Sequence, residues 1–413
     1  MSLFKKNNLF HNLAKIFSAT VLAHAITLAF SPILTRLYLP EAFGLLAFVL
    51  SVSNPFSSFS TFRLEQAVVL PKNNNDALKI ANTVIILNTF FSLLLLLFIL
   101  IFGKTLFQKP IGVLLYIPLI VFITGFQMPL NSWLQRYKKY NSIANGKLIQ
   151  TIAISVFSIL FYWYNTSYGL LAGYLTGWIF YSVYMYYQAN KNQFYLQYAA
   201  IVNDVKTTII QYKDFPLYHV LPSVAVSFTL SIPVYYFSSY YSEAEIGWFN
   251  FARQMLMVPV SLVTAAFSQV YYARVVEIIN HRKKIFPEFK KLVSLLFLIS
   301  LAMTVALFFF GELLFTFIFG KQWSTAGMYA SVLVFSAALQ LMVWPLNSIP
   351  VALGKIKFNS MLQLSHFVLT LCLFLLHNLL PLEFIYFVVA VDVLFFISYF
   401  IFIYYQISAH DKA

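Results

Sequence analysis

The chain has 413 residues, of which 61% are hydrophobic and 10% charged, and its 27 Lys and Arg against 13 Asp and Glu give a net charge of +14. A water-covered domain carries about a quarter charged residues, so a mean hydropathy of +0.78 excludes a soluble protein and points to an integral membrane one. Runs such as VIILNTFFSLLLLLFILIF, residues 84–102, are continuously apolar rather than alternating. That pattern excludes a barrel and leaves helices, the other structure that satisfies its own backbone in lipid.

In chain order, windows of about 20 residues predict spans at 14–35, 43–62, 80–102, 111–133, 147–163 and 168–189. A polar stretch follows at 190–214, then spans at 215–238, 246–270, 289–310, 325–344, 358–378 and 382–405. The expected fold class is an all-α integral membrane protein with twelve transmembrane helices in two six-helix lobes related as parallel repeats. The lobes are 1–189 and 215–413, joined by a cytoplasmic linker at 190–214. The lysine-bearing start lacks a small-residue cleavage site and reads as a retained first helix. The one cysteine, Cys372, excludes a disulfide within the chain.

With an even number of spans the termini share a side. If that side is cytoplasmic, 22 of the 27 Lys and Arg fall on inner segments. Only Arg36, Lys104, Lys109 and Lys321 fall outside, and Arg253 lies within a span. This asymmetry orients the chain with both termini cytoplasmic. It also accounts for the net charge, which faces anionic headgroups, so nucleic acid is not implied. HRKK at 281–284 reads as part of the same inner charge.

An offset of 203 places Tyr38 on Tyr241, Gly44 on Gly247 and Phe48 on Phe251, at the same point of each six-span group. The first span carries Thr20, His24, Thr27, Ser31 and Thr35 on one face, and the seventh carries His219, Ser223, Ser227 and Ser231. These stripes either line a cavity or bond neighbouring helices. On the first reading His24, Thr27, Ser31, Ser223 and Ser227 contact substrate, together with Arg253.

A central arginine costs about 3 kcal/mol in a span, so Arg253 needs compensation. Either it faces a wet cavity through which an anionic ligand passes, or it pairs with Asp392. Asp392 itself reads equally as that partner, as an ion-coupling group, or as a satisfied interior acid. The chain has no H-E-x-x-H and no Cys or His pair at metal spacing, and FGKT at 102–105 lacks the first glycine of a phosphate loop. No catalytic residue, metal site or cofactor is expected.

Residues 31–72, SPILTRLYLPEAFGLLAFVLSVSNPFSSFSTFRLEQAVVLPK, resemble the signature region of bacterial polysaccharide flippases of the Wzx (O-antigen translocase) type. These belong to the multidrug/oligosaccharidyl-lipid/polysaccharide exporter superfamily. The P-I-L-T-R-L-Y-x-P-E-x-F-G run, the Arg63 and Glu65 pair and the A-V-V-L-P run carry the likeness.

The resemblance implies a carrier, not an enzyme, in the bacterial inner membrane. It would flip undecaprenyl-diphosphate-linked oligosaccharide repeat units from the cytoplasmic to the periplasmic leaflet by alternating access, for O-antigen or capsule synthesis. The implied partners are that glycan and membrane lipids, with the polysaccharide polymerase and chain-length regulator as further candidates. Arg63 and Glu65 match the family motif, and at the inner mouth they read as a gating ion pair. The alternatives are a multidrug or other lipid-linked-precursor exporter of the same fold, and a membrane polymerase or acyltransferase. The latter calls for a large outer loop or a buried His/Asp/Arg cluster, and neither is expected.

Overall fold

The structure, a computed structural model, describes residues 3–165, 167–196, 201–281 and 283–412. Among the described residues there are helices and turns and no strand. Twelve helices carry the fold. The first six are α1 (Leu3–Leu37), α2 (Pro40–Ser60), α3 (Asn74–Phe98), α4 (Tyr116–Arg136), α5 (Tyr140–Tyr162) and α6 (Gly169–Asn190). The second six are α7 (Leu221–Tyr240), α8 (Glu243–Asn280), α9 (Phe286–Phe319), α10 (Ser324–Val343), α11 (Ile356–Leu371) and α12 (Pro381–Lys412).

Among the described residues, ten helices are long and apolar enough to cross a bilayer. Of the other two, α6 has 22 residues but many tyrosines and glycines, and α11 runs on through a 3₁₀ turn, with Met361–Leu375 as its apolar part. Twelve helices answer to the twelve expected spans, ten of them long and apolar enough to cross by themselves, and several overrun the expected bounds. With 38 and 34 residues, α8 and α9 extend about 57 and 51 Å, well beyond a hydrocarbon core of ~30 Å.

The excess length carries charged residues at the helix ends. Arg274 on α8 donates to Glu277 at 3.0 Å and to Glu288 of α9 at 3.1 Å, and these carboxylates hold its guanidinium above the ordinary value. Asp411 near the end of α12 accepts from the Ile285 and Phe286 amides and caps the start of α9. Within 190–214 a helix, Ile201–Gln211, packs on α3.

Contacts divide the chain into two compact units, Met1–Tyr38 with Leu45–Ser231, and Leu39–Gly44 with Ile232–Ala413. In the first unit, α5 and α6 pack through a glycine stripe. A Cβ on Gly173 would come 2.6 Å from the Ser158 amide nitrogen, and one on Gly177 2.8 Å from that of Ile154. Backbones this close make the van der Waals contact that drives helix association in lipid. Tyr38, fully buried after the end of α1, donates its hydroxyl to the Ser158 carbonyl at 2.6 Å. Burial pushes that phenol up to about 12.

The second unit repeats the device. Tyr241, the counterpart of Tyr38, donates to the Leu379 carbonyl at 2.8 Å. Next to it the first turns of α2 and α8 cross backbone against backbone. A Cβ on Gly44 would lie 1.9 Å from the Glu243 carbonyl oxygen, and one on Gly247 would lie 2.0 Å from that of Pro40. Pro40 suits the first helical position because its missing N–H is not needed there, and Ser242 caps α8 by accepting from the Glu245 amide. Phe43 packs edge-on against Trp323 and Phe251 at 4.9 and 5.5 Å.

Gly44→Ala or Gly247→Ala is expected to cost about 1–3 kcal/mol by overpacking. Both methyl groups force the same separation, so the double variant should lose clearly less than the sum. Thermal unfolding in detergent measures both effects, and strict additivity would refute a shared crossing.

Candidate functional site

In the first unit, α1 presents its hydroxyls as the sequence pattern predicts, and they fold back on their own helix. Thr27 donates to the Ala23 carbonyl at 3.0 Å, Ser31 to Leu28 at 2.8 Å and Thr35 to Ser31 at 2.8 Å. Such bonds satisfy the hydroxyl donor within the helix. Ser227 of α7 donates to the Ser223 carbonyl at 3.0 Å and lies 3.1 Å from the Ser58 hydroxyl of α2. His24 is half-buried, and Lys147 of α5 lies close enough for its charge to act on it. Counting residues assigns Lys147 to an inner segment, whereas the structure sets it two turns inside α5. The acid-free run between Asp76 and Asp204 is the signal that could have singled it out.

At the other end of the unit, Arg63 Nη1 meets Glu65 Oε1 at 3.4 Å. Phe62 and Arg63 both take the left-handed conformation, φ 50° and 57°, a costly backbone for branched or bulky residues. Glu65 is buried, and its Oε2, like Arg63 Nε, has no hydrogen-bond partner among the described residues. The loop that holds this pair is clamped by Arg136 of α4. Its guanidinium donates to the Pro71 carbonyl at 2.6 Å, the Lys72 carbonyl at 3.3 Å and Asn74 Oδ1 at 3.0 Å.

The second unit holds the denser cluster. Asp392, about 16 Å along α12, accepts from Ser336 of α10 at 2.5 Å through Oδ2 and engages His366 Nε2 of α11 at 3.0 Å through Oδ1. Gln340 donates to Ser336 Oγ at 3.1 Å, and the imidazole lies flat on Phe395, centroids 4.0 Å apart and planes within 5°. Arg253, about 15 Å along α8, is half-buried and within the field of Asp392. The structure thus brings Arg253 and Asp392 together electrostatically and adds His366, Ser336 and Gln340.

The half-buried pair of His366 and Asp392, with Arg253 in the field of Asp392, is a grouping that the sequence pattern does not single out. A span-by-span search for charges passes over His366, which lies three helices on from Arg253 in sequence. The general signal, any ionisable residue inside a span, would have found it. The arrangement is not that of a hydrolase. The Ser-His-Asp triad needs the imidazole between serine and carboxylate, whereas here the carboxylate sits between Ser336 and His366. Among the described residues no group of His, Cys, Asp and Glu could hold a metal ion.

What the arrangement can do is present a positive charge to an anion at mid-depth and adjust that charge through a neighbouring carboxylate. Twelve helices carry this group, and their fold is similar to that of several solved membrane transporters. The chain matches the inward closed conformation of the lipid II flippase MurJ with a TM-score of 0.73 at 13% identity, covering 96% of this chain and 90% of that one. It matches an inward-facing multidrug resistance transporter of the MATE family at 0.64 and 16%, covering 96% and 95%. A transporter of the multidrug/oligosaccharidyl-lipid/polysaccharide superfamily from Pyrococcus furiosus gives 0.58 and 15%, covering 97% and 96%. None of the curated proteins compared with the sequence matches it. Residues 33–328 match the family described as polysaccharide biosynthesis protein, and the chain belongs to that family. The resemblance carried by residues 31–72 holds at this level.

Removing one member of the Arg253 and Asp392 pair leaves the other charge uncompensated at depth. Arg253→Met and Asp392→Asn are each expected to cost about 2 kcal/mol, short of the roughly 3–5 kcal/mol of a fully buried pair. The double variant should recover about half of the summed loss. Unfolding midpoints of the purified proteins test this, and a double variant at the full sum would show the two charges to be uncoupled.

Proposed function

We propose that this protein flips undecaprenyl-diphosphate-linked oligosaccharide repeat units from the cytoplasmic to the periplasmic leaflet of the bacterial inner membrane, for O-antigen or capsule synthesis. Arg253 carries this reading: a cation held half-buried at mid-depth in a member of the polysaccharide biosynthesis family. A lipid-linked repeat unit has an anionic diphosphate and a large hydrated head that hydrocarbon does not admit. A carrier that alternates access lets the head cross among polar groups while the polyprenyl tail stays in lipid. Arg253 attracts the diphosphate or an acidic sugar. The hydroxyls of Thr27, Ser31, Ser223 and Ser227 and the His24 ring meet sugar hydroxyls. Lys147 adds a second cation beside His24, and no acidic residue lies between Asp76 and Asp204 to neutralise it.

Arg63 and Glu65 act at the inner mouth, where a half-satisfied pair exchanges partners at little expense, and Asp392 is the ion-coupling group. The neighbour named lipid II flippase supports a lipid-linked cargo. Both termini face the cytoplasm, and the polymerase and chain-length regulator are the proposed protein partners.

Deletion of the gene, followed by leaflet-resolved assay of lipid-linked glycans, is expected to show complete repeat units trapped on the cytoplasmic side and released by the wild-type copy. An Arg253→Ala copy is expected to restore less than a tenth of that release at unchanged expression, as loss of a charge-assisted contact worth about 1.5–3 kcal/mol requires. Repeat units that reach the periplasm unpolymerised would assign an enzyme instead, and unchanged lipid-linked glycans an exporter of another cargo.

A further inference from the structure

We propose that the turn from α4 into α5, together with the loop that leads into α3, forms a binding pocket for a phosphate ester. The site lies in the first unit, and it neither uses nor requires the transport reading. A cavity of about 520 Å³ opens there, lined by Val69, Asn74, Gln135, Arg136, Tyr137 and Tyr140. That volume falls in the ordinary range of small-molecule pockets and exceeds what a bare phosphate fills, so the group held is a phosphate with something attached.

The turn is built by the chain's own hydrogen bonds. The Lys139 amide donates to the Leu134 carbonyl at 2.8 Å and the Lys138 amide to that of Gln135 at 2.9 Å, the paired bonds that close a helix around a left-handed residue. Lys138 is that residue, at φ 55°. The turn sets Arg136 against the loop before α3, where every partner of its guanidinium is a neutral oxygen. These are the carbonyls of Val68, Val69, Pro71 and Lys72 and the amide oxygen of Asn74. Its position is fixed and its charge is not cancelled.

Donors surround that charge. The Tyr137 hydroxyl is buried and has no hydrogen-bond partner among the described residues. Asn74 spends its amide oxygen on Arg136, which leaves its NH2 group to donate. Helix α5 begins without a side-chain cap. Its Ser142 and Ile143 amides turn back to the Lys139 carbonyl, and those of Tyr140 and Asn141 have no partner among the described residues. Lys72, Lys138 and Lys139 are exposed on the same two segments, with Asp76 in the first turn of α3 as the acid nearby. A phosphate group, negatively charged and rich in acceptor oxygens, answers to this set: Arg136 attracts it by charge, and the hydroxyl and amides donate. The Tyr137 and Tyr140 rings border whatever the phosphate is esterified to.

A lipid headgroup and a soluble phosphate ester share this chemistry. The test therefore has two arms, both on the full-length protein. In phosphatidylcholine nanodiscs the protein is titrated calorimetrically with glycerol 3-phosphate at constant ionic strength. In detergent it is given phosphatidylglycerol and phosphatidylcholine in equal amounts, and native mass spectrometry reads which lipid stays bound. Gln135 is exposed and its side chain takes no part in the clamp, so a charge placed there leaves Arg136 where it is. Gln135→Glu is expected to weaken binding about tenfold and Gln135→Lys to strengthen it about threefold, as a charge close to the ligand requires. Tyr137→Phe should weaken it about fivefold, the loss of one hydrogen bond. Unfolding midpoints of the variants verify that each folds.

Saturable binding of glycerol 3-phosphate that follows this order supports the site with a soluble ester as ligand. Selective retention of phosphatidylglycerol, lost in Gln135→Glu, supports it with a lipid headgroup. No saturable binding in either arm, or binding that Gln135→Glu leaves unchanged, overturns the proposal.

Discussion

Hydrocarbon offers no hydrogen-bond partner, and this fold is arranged around that fact. Helical amides pair along their own helix beyond its first turn, and many of the described hydroxyls take the nearest carbonyl of the preceding turn, as Thr27, Ser31, Thr35, Ser227 and Ser231 do. The groups that reach across to another helix are correspondingly informative. Ser57 meets Thr124 at 2.8 Å, Asn88 donates to the Phe122 carbonyl at 2.9 Å, and Ser300 donates to that of Ala338 at 3.0 Å. None of these carries charge. Formal charge inside a span is costly, which is why the grouping of Arg253, Asp392 and His366 stands out.

The turn motif that punctuates each half serves two packing requirements at once. Its tyrosine anchors the end of one span to a carbonyl elsewhere in the same unit. Its glycine, four residues after the first residue of the next helix in both α2 and α8, lets two helix starts approach until their backbones touch. A side chain as small as a methyl group would separate them. The letters that survive between the halves, Tyr38 with Tyr241 and Gly44 with Gly247, are the ones these contacts require.

The helical class, the approximate number of spans and the repeat were legible because hydropathy and a fixed offset act over long windows. The contact faces of Gly173 and Gly177 were legible for a similar reason, since small residues at four-residue spacing have few other uses in lipid. The cluster was half legible. Arg253 and Asp392 advertise themselves by cost, but a histidine is inexpensive when neutral, so His366 raises no alarm in a hydropathy profile. Ser336 and Gln340 look like the polar residues of any packed helix. Lys147 was hidden differently, because a count assigns it to the nearest inner segment, while its position on α5 depends on where that helix begins.

The division of contacts also fixes an order of assembly. Residues 39–44 pack with the second unit, although the helix they begin continues in the first. Gly247 leaves the ribosome 203 residues after Gly44, roughly 10–40 s later at ordinary synthesis rates. For that interval the first turn of α2 lacks its closest neighbour, so the nascent first half waits in the membrane with one seam open, and its maturation is timed by translation of the second.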